Sequence, residues 1–239
     1  MSDTLVIIPT YNEKENIEAI IRAVFSQEKE FDVLVVDDNS PDGTAAIVNK
    51  LQKEFSNLFI ENREGKHGLG TAYIHGFNWA LNREYEYIIE MDADFSHNPK
   101  DLIRLYNACV IDGADFSIGS RYLNNKINVV DWDFKRLFLS YFASKYVKII
   151  TNIPIFDTTA GFVCYHRKVL ENIELGKIKF IGYAFQIEMK FKAWKRNFKH
   201  KEVSVIFTDR KIGTSKLSGS IISEAVFGVI KMRLKGLPK

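Results

Sequence analysis

The chain has 239 residues, is 46% hydrophobic, and carries 33 Lys and Arg against 30 Asp and Glu, a net charge of +3. That is ample apolar material for one large core, and the dispersed, nearly balanced charge argues against a general nucleic-acid binder. Two cysteines without metal-type spacing, no basic leader ahead of an apolar run, and no stretch of ~20 apolar residues predict a reduced compartment, no signal peptide and no membrane span.

In chain order, Leu5 to Ile8 reads as a short strand ending at Pro9, and Asn12 is placed to cap a helix with Glu13 and Glu15 in its first turn. Val33 to Val36 is a second strand ending in Asp37-Asp38. Ser40-Pro41-Asp42-Gly43 is turn chemistry before a helix from Thr44 to about Phe55. Leu58 to Ile60 is a third strand, and a glycine-rich loop, Gly65 to Gly70, leads into a helix carrying Ala72, Phe77, Trp79 and Ala80. Tyr87 to Met91 is a fourth strand, followed by a helix from Pro99 to about Cys109 and a strand near Phe116 to Ile118. Beyond it, Asp131 to Ile150 is apolar at helical spacing with Lys135, Arg136, Lys145 and Lys148 among its basic residues. Gly161 to Tyr165 reads as a strand, Tyr183 to Trp194 as a helix, and Val203 to Phe207 as a strand before a polar loop, Asp209 to Lys216. Ser220 to Leu234 reads as a closing amphipathic helix, with Lys231, Arg233, Lys235 and Lys239 crowded at the end.

Strands alternating with helices predict a mostly parallel sheet with helices on both faces. Ligands of such sheets sit beyond the carboxyl ends of the strands. Here those ends carry Pro9 to Glu13, Asp37-Asp38-Asn39, Arg63 to Gly70, Asp92-Ala93-Asp94 and Gly119-Ser120-Arg121. Asp92 and Asp94 share a face of extended backbone, with Cα atoms roughly 6–7 Å apart. Two carboxylates so close repel unless a cation joins them, and Mg²⁺ or Mn²⁺ favours carboxylate oxygens completed by phosphates. A solvated helix-capping turn is the plainer reading of an isolated Asp-x-Asp. Several acidic and glycine-rich ends together point instead to a nucleotide site with a metal.

The stretches "VIIPTYNEKENI", "VVDDNSPDGTA", "GLGTAYIHGF", "MDADFSHNP", "GSRY", "GYAFQIEM" and "TDRKIGTSKL", spread over about residues 4 to 220, resemble the polyprenyl-phosphate (dolichol-phosphate) mannosyltransferases of the family-2 inverting glycosyltransferases. The resemblance implies a GT-A, Rossmann-like fold, and the apolar spacing adds C-terminal amphipathic helices to it. It implies a single catalytic domain over 1–239, with residues 1–121 holding the nucleotide sugar and 122–239 the acceptor. It further implies transfer of mannose from GDP-mannose to a polyprenyl phosphate, with Mg²⁺ or Mn²⁺. By position, Pro9, Tyr11, Glu13, Asp37, Asp38 and Ala93 fall to the nucleotide, and Asp92 and Asp94 to the metal and diphosphate. Arg121, Arg136, Ser140, Arg210, Lys211 and Lys216 fall to the acceptor phosphate, with Gln186 and Glu188 supporting on a helix that faces the site. Three stretches depart from the family pattern: "LNNKINVVDW" after "GSRY", Ala160 and Val163 in "DTTAGFVCYH", and Ser96 where some relatives place a metal-binding Gln. Alternatives are a UDP-glucose or UDP-N-acetylglucosamine transferase acting on the same lipid, and a non-catalytic nucleotide-sugar binder.

A phosphate nucleophile is already anionic and needs no strong general base. The protein must instead hold anionic groups together, a task for arginine. With no spanning segment expected, the helices at Phe134–Ile150 and Ser220–Leu234 read as lying in the headgroup plane. The expectation is a peripheral enzyme on the cytoplasmic face of a membrane, with a separate membrane anchor protein as the alternative.

Overall fold

Successive residues of β1 (Thr4–Thr10) enter opposite cores. Leu5 and Ile7 pack on one side of the sheet, Val6 and Ile8 on the other. β2 (Asp32–Asp37) repeats the division with Leu34 and Val36 against Val33 and Val35. The period-two alternation of a strand, filled on both faces by apolar residues, requires helices on both sides. The computed structural model describes residues 2–123, 126–180, 182, 184–208, 226 and 228–234.

The other strands of the main sheet are β3 (Leu58–Asn62), β4 (Tyr87–Glu90), β5 (Phe116–Ser120), β9 (Val163–His166) and β10 (His200–Ser204). Their order is β10-β5-β9-β4-β1-β2-β3, and only β9 runs against the rest. Four two-residue strands form two small ladders beside it: β6 (Tyr122–Leu123) with β7 (Lys126–Ile127), and β8 (Val129–Val130) with β11 (Phe207–Thr208). The single strand expected at Val203–Phe207 is therefore two, one in the main sheet and one in a ladder. The exposed Ile206 lies in the break.

Helices α1 (Ile17–Phe25), α2 (Thr44–Leu51) and α4 (Leu102–Val110) cover one face; α3 (Leu69–Leu81), α6 (Arg167–Asn172) and α7 (Ala184–Lys195) cover the other. α3 lies close to β1: a Cβ on Gly76 would come within 2.7 Å of Ile7 Cγ2. α5 (Phe134–Thr151) begins at Asp133, whose side chain accepts the Arg136 N–H at 2.9 Å.

The expected cap at Asn12 does not form. Asn12 has φ of +59°, a region Asn tolerates better than most residues. α1 starts only at Ile17, after a turn in which Asn16 and Ile17 both donate to the Glu13 carbonyl. α2 also stops at Leu51, short of Phe55.

Candidate functional site

The parallel strands deliver their carboxyl ends to one edge of the sheet. At the end of β2, Asp37 is consumed by structure: its carboxylate accepts Thr10 Oγ1 (2.7 Å), Ser40 Oγ (2.6 Å) and Ser40 N–H (2.8 Å). Asp38 points elsewhere and pairs with Arg63 at 3.1 Å. Burial pushes the Asp38 carboxyl up, while Arg63 and the His67 amide pull against that. Tyr11 is half-buried beside Lys66, whose ammonium lies 4.8 Å from its ring. Glu13 accepts Asn16 Nδ2 at 3.0 Å, and its N–H donates to Thr44 Oγ1. Pro9 is half-buried in register with Val36.

At the end of β4 the chain turns sharply through Phe95, at φ +60°. Asp92 and Asp94 are half-buried on either side of the buried Ala93. Tyr73 donates to Asp92 Oδ1 at 3.2 Å, and Asp94 Oδ1 accepts the Ser96 N–H at 3.1 Å. Burial and then the Asp92 charge push the Tyr73 phenol well up, so it remains a donor. The Asp92 N–H donates to His97 Nδ1 at 3.0 Å, which leaves the imidazole proton on Nε2. His97 is stacked 4.7 Å from Phe162, and burial pushes its pKa down to about 4.

These carboxylates open onto a cavity of about 380 Å³. Asp92, Asp94, His97, Arg121, Arg136, Ser140 and Gln186 are polar parts of its lining, and Leu139, Phe142, Ala143 and Val147 of α5, with Val226 and Val229, are apolar parts. Arg121 is buried and held by Asp157. Its main-chain N–H and Nε donate to Oδ2 at 2.9 and 2.7 Å, and Nη2 donates to Oδ1 at 2.7 Å and to Thr159 Oγ1 at 2.8 Å. Burial resists ionisation of Asp157, but Arg121 wins and holds that carboxyl below its ordinary range. Rings of Tyr122, Trp132 and Phe207 surround the guanidinium at 5.2–5.6 Å, and Arg136 lies 4.4 Å from the same Trp132 ring. Both arginines thus lie against the same indole.

Gln186 lines the cavity, but Glu188 does not face it. Glu188 accepts the N–H groups of Lys179 and Phe180 at 2.9 and 3.1 Å and pairs with Lys192, because two residues along a helix is about half a turn. Arg210, Lys211 and Lys216 lie outside the described residues. Sequence reasoning missed Tyr73, His97, Trp132 and Asp157 as site neighbours. For Asp157 the available signal was a buried-type acid in "DTTAG", 36 residues from the arginine it holds.

The site fits a divalent cation in one specific way. Among the described residues no group of three His, Cys, Asp or Glu side chains is gathered for a metal. Two neighbouring carboxylates facing an open cavity suit Mg²⁺ or Mn²⁺ completed by phosphate oxygens and water, not a closed protein cage.

A family model, glycosyl transferase family 2, matches residues 5–174. The chain is 44% identical to a polyprenol monophosphomannose synthase of Mycolicibacterium smegmatis, over 98% of this chain and 88% of that protein. It is 40% identical to an undecaprenyl-phosphate mannosyltransferase of Micrococcus luteus, over 96% of this chain and 93% of that one. Among solved structures it is similar to a mannosyltransferase of Pyrobaculum calidifontis in complex with GDP-Man and Mn²⁺. The TM-score is 0.59 at 20% identity, over 89% of this chain and 58% of that chain, a likeness of fold.

Proposed function

The chain belongs to glycosyl transferase family 2 and is a glycosyltransferase of GT-A-like fold, and from that premise we propose that it moves mannose from GDP-mannose, with inversion, to a polyprenyl phosphate. The observation that carries the acceptor is the lining of the cavity: two carboxylates and two arginines share it with apolar side chains of α5. A phosphate joined to a long hydrocarbon needs both at once. The two relatives of 40–44% identity, named for polyprenol and undecaprenyl phosphate, support the same acceptor class.

The nucleotide falls to the ends of β1 and β2, with Pro9, Tyr11, Glu13, Asp38 and Ala93 lining its path and Asp37 bracing the turn beneath. This keeps residues 1–121 as the donor half and 122–239 as the acceptor half of one catalytic domain. Mg²⁺ or Mn²⁺, held by Asp92 and Asp94 together with the donor diphosphate, would supply positive charge against the leaving group. Tyr73 and the Ser96 amide hold those carboxylates in place. Arg136 and Arg121 hold the acceptor phosphate, Arg121 with its orientation already set by Asp157 and Thr159. Ser140 stands on the same helix face as Arg136, one turn along. Because the nucleophile is an ionised phosphate oxygen, no carboxylate has to remove a proton from it. Arg210, Lys211 and Lys216 remain in this reading as further phosphate ligands, on the strength of the resemblance alone.

The acceptor is a lipid, and no helix among the described residues is long and apolar enough to cross a membrane. We therefore read α5 as resting on the membrane surface at its cytoplasmic face. Phe134, Phe138, Leu139 and Phe142 are exposed beside Lys135 and Lys145. Each base near an anionic leaflet adds ~1 kcal/mol, so binding is reversible and salt-sensitive.

The deciding experiment gives the purified chain labelled GDP-mannose, UDP-glucose or UDP-N-acetylglucosamine, with Mn²⁺ or Mg²⁺ and a polyprenyl phosphate. A β-linked mannosyl lipid from GDP-mannose alone is the expected product. Transfer from a UDP-sugar would overturn the donor, and donor binding without turnover would overturn catalysis. Co-sedimentation with anionic liposomes at low salt tests the surface contact; its absence would favour a separate anchor protein.

A further inference from the structure

Lys190 has no exposed surface, yet nothing in the roles above uses it. It lies on α7 and its ammonium has three donors and three acceptors: the Ala160 carbonyl at 2.5 Å, the Gln186 carbonyl at 3.2 Å and Gln186 Oε1 at 3.3 Å. Because Lys190 occupies Oε1, the Gln186 amide presents Nε2 to Glu90 Oε2, at 2.9 Å. Glu90 is fully buried on β4, two residues before Asp92. Ala160 belongs to the loop whose Asp157 and Thr159 grip Arg121. Gln186 and Gly161, the residue after Ala160, both line the cavity.

Burying a lone ammonium is costly, and a buried ion pair adds little net stability over an apolar replacement. Burial pushes Lys190 down to about 8, with Glu90 and Asp157 opposing, so the site tolerates this charge at a cost. The contacts show what the lysine accomplishes. It ties α7 to the Asp157–Gly161 loop, and through Gln186 and Glu90 to the strand that presents Asp92.

We propose that Lys190 is a positioning residue for glycosyl transfer, setting the separation between the Asp92 and Asp94 carboxylates and the Arg121–Asp157 clamp. The proposal rests on the assignment of those two groups to donor diphosphate and acceptor phosphate. An error in that separation would spare the binding of each substrate and slow their reaction. Misplacements of about 1 Å cost on the order of 100-fold in rate.

Lys190→Met keeps the length and removes the donors. At 25 °C, below its unfolding transition, it is expected to lower kcat by about 10- to 100-fold with both KM values within about threefold of wild type. Amide exchange of residues 157–162, read by mass spectrometry, should quicken by about tenfold. A merely structural lysine would lower Tm and leave kcat of the folded enzyme unchanged, and that outcome overturns the proposal. If Lys190→Met does not fold, Gln186→Met breaks the same chain one step on, and kcat and loop exchange like wild type there overturn it equally. Wild-type turnover with GDP-mannose reports separately on the functional reading. Should another nucleotide sugar prove to be the donor, the variants are compared on that donor, and loop exchange needs no substrate.

Discussion

α1 and α5 both carry apolar side chains a turn apart, confined to one face in α1 and spread around the helix in α5, and they meet opposite fates. α1 buries Ile17, Ile20, Ile21 and Val24 against the sheet and leaves Glu18 and Arg22 to solvent as an ion pair. α5 is twice as long, yet the residues it buries are Ser144, Val147 and Thr151, while Phe134 and Ile149 are each 78% exposed. Its aromatic rings meet one another on the surface instead, Phe138 and Phe142 with centroids 4.1 Å apart. The difference teaches that an apolar stripe states a need for cover without saying what provides it. For α1 the sheet does. For α5 the inner edge closes a cavity, and the outer edge has no sheet behind it.

Four outcomes would sharpen or break that contrast. The largest belongs to the polar lining of the cavity that α5 helps close: Asp94→Ala should cost at least about 10²–10³ in transfer rate with little change in unfolding midpoint. Turnover near wild type under saturating Mn²⁺ would remove the metal role from this end. Next is the clamp on the α5 side. Asp157→Ala strands a buried guanidinium and should cost about 3–5 kcal/mol in urea unfolding at pH 7. The sign with pH follows from the lowered native pKa of Asp157. Its stabilisation is present above the ordinary carboxylate range of ~4 and is lost as pH falls through the native value. The gap between wild type and variant should therefore narrow in unfolding curves taken at pH 3; a constant gap would mean the ion pair is not its source.

Third, Ile20→Ala in α1 should destabilise by about 2–5 kcal/mol through a core cavity. Fourth and smallest on stability, Phe138→Ser in α5 should shift unfolding by about 0.5 kcal/mol or less. The same change should weaken binding to anionic liposomes by about 1–2 kcal/mol, roughly 5- to 30-fold. Equal destabilisation by the two substitutions would mean α5 is a core helix after all.

Much of the first half of the chain was legible from sequence because its signals are local. Strand alternation, the turn at Ser40 to Gly43 and the Asp-x-Asp after an apolar run each depend on residues within a few positions. The parallel rule then sends every strand end to one edge. Even there, local signals misjudged Asn12, whose backbone the chain needs for a left-handed turn, and could not tell that Asp37 braces while Asp38 faces Arg63.

What only the tertiary structure decided are the pairings across long separations. β9 enters antiparallel between β4 and β5, and that register brings Ala160 and Asp157 beside α7 and Arg121. No spacing in the chain announces that Lys190 will lie in the core, or that Gln186 will face the cavity while Glu188 turns to the Lys179–Phe180 backbone. Periodicity encodes which faces must be covered, because hydration acts on each side chain where it stands. The partner of a buried charge is chosen by the packing of distant elements, because a desolvated ion must be met by whatever the fold brings within hydrogen-bond reach.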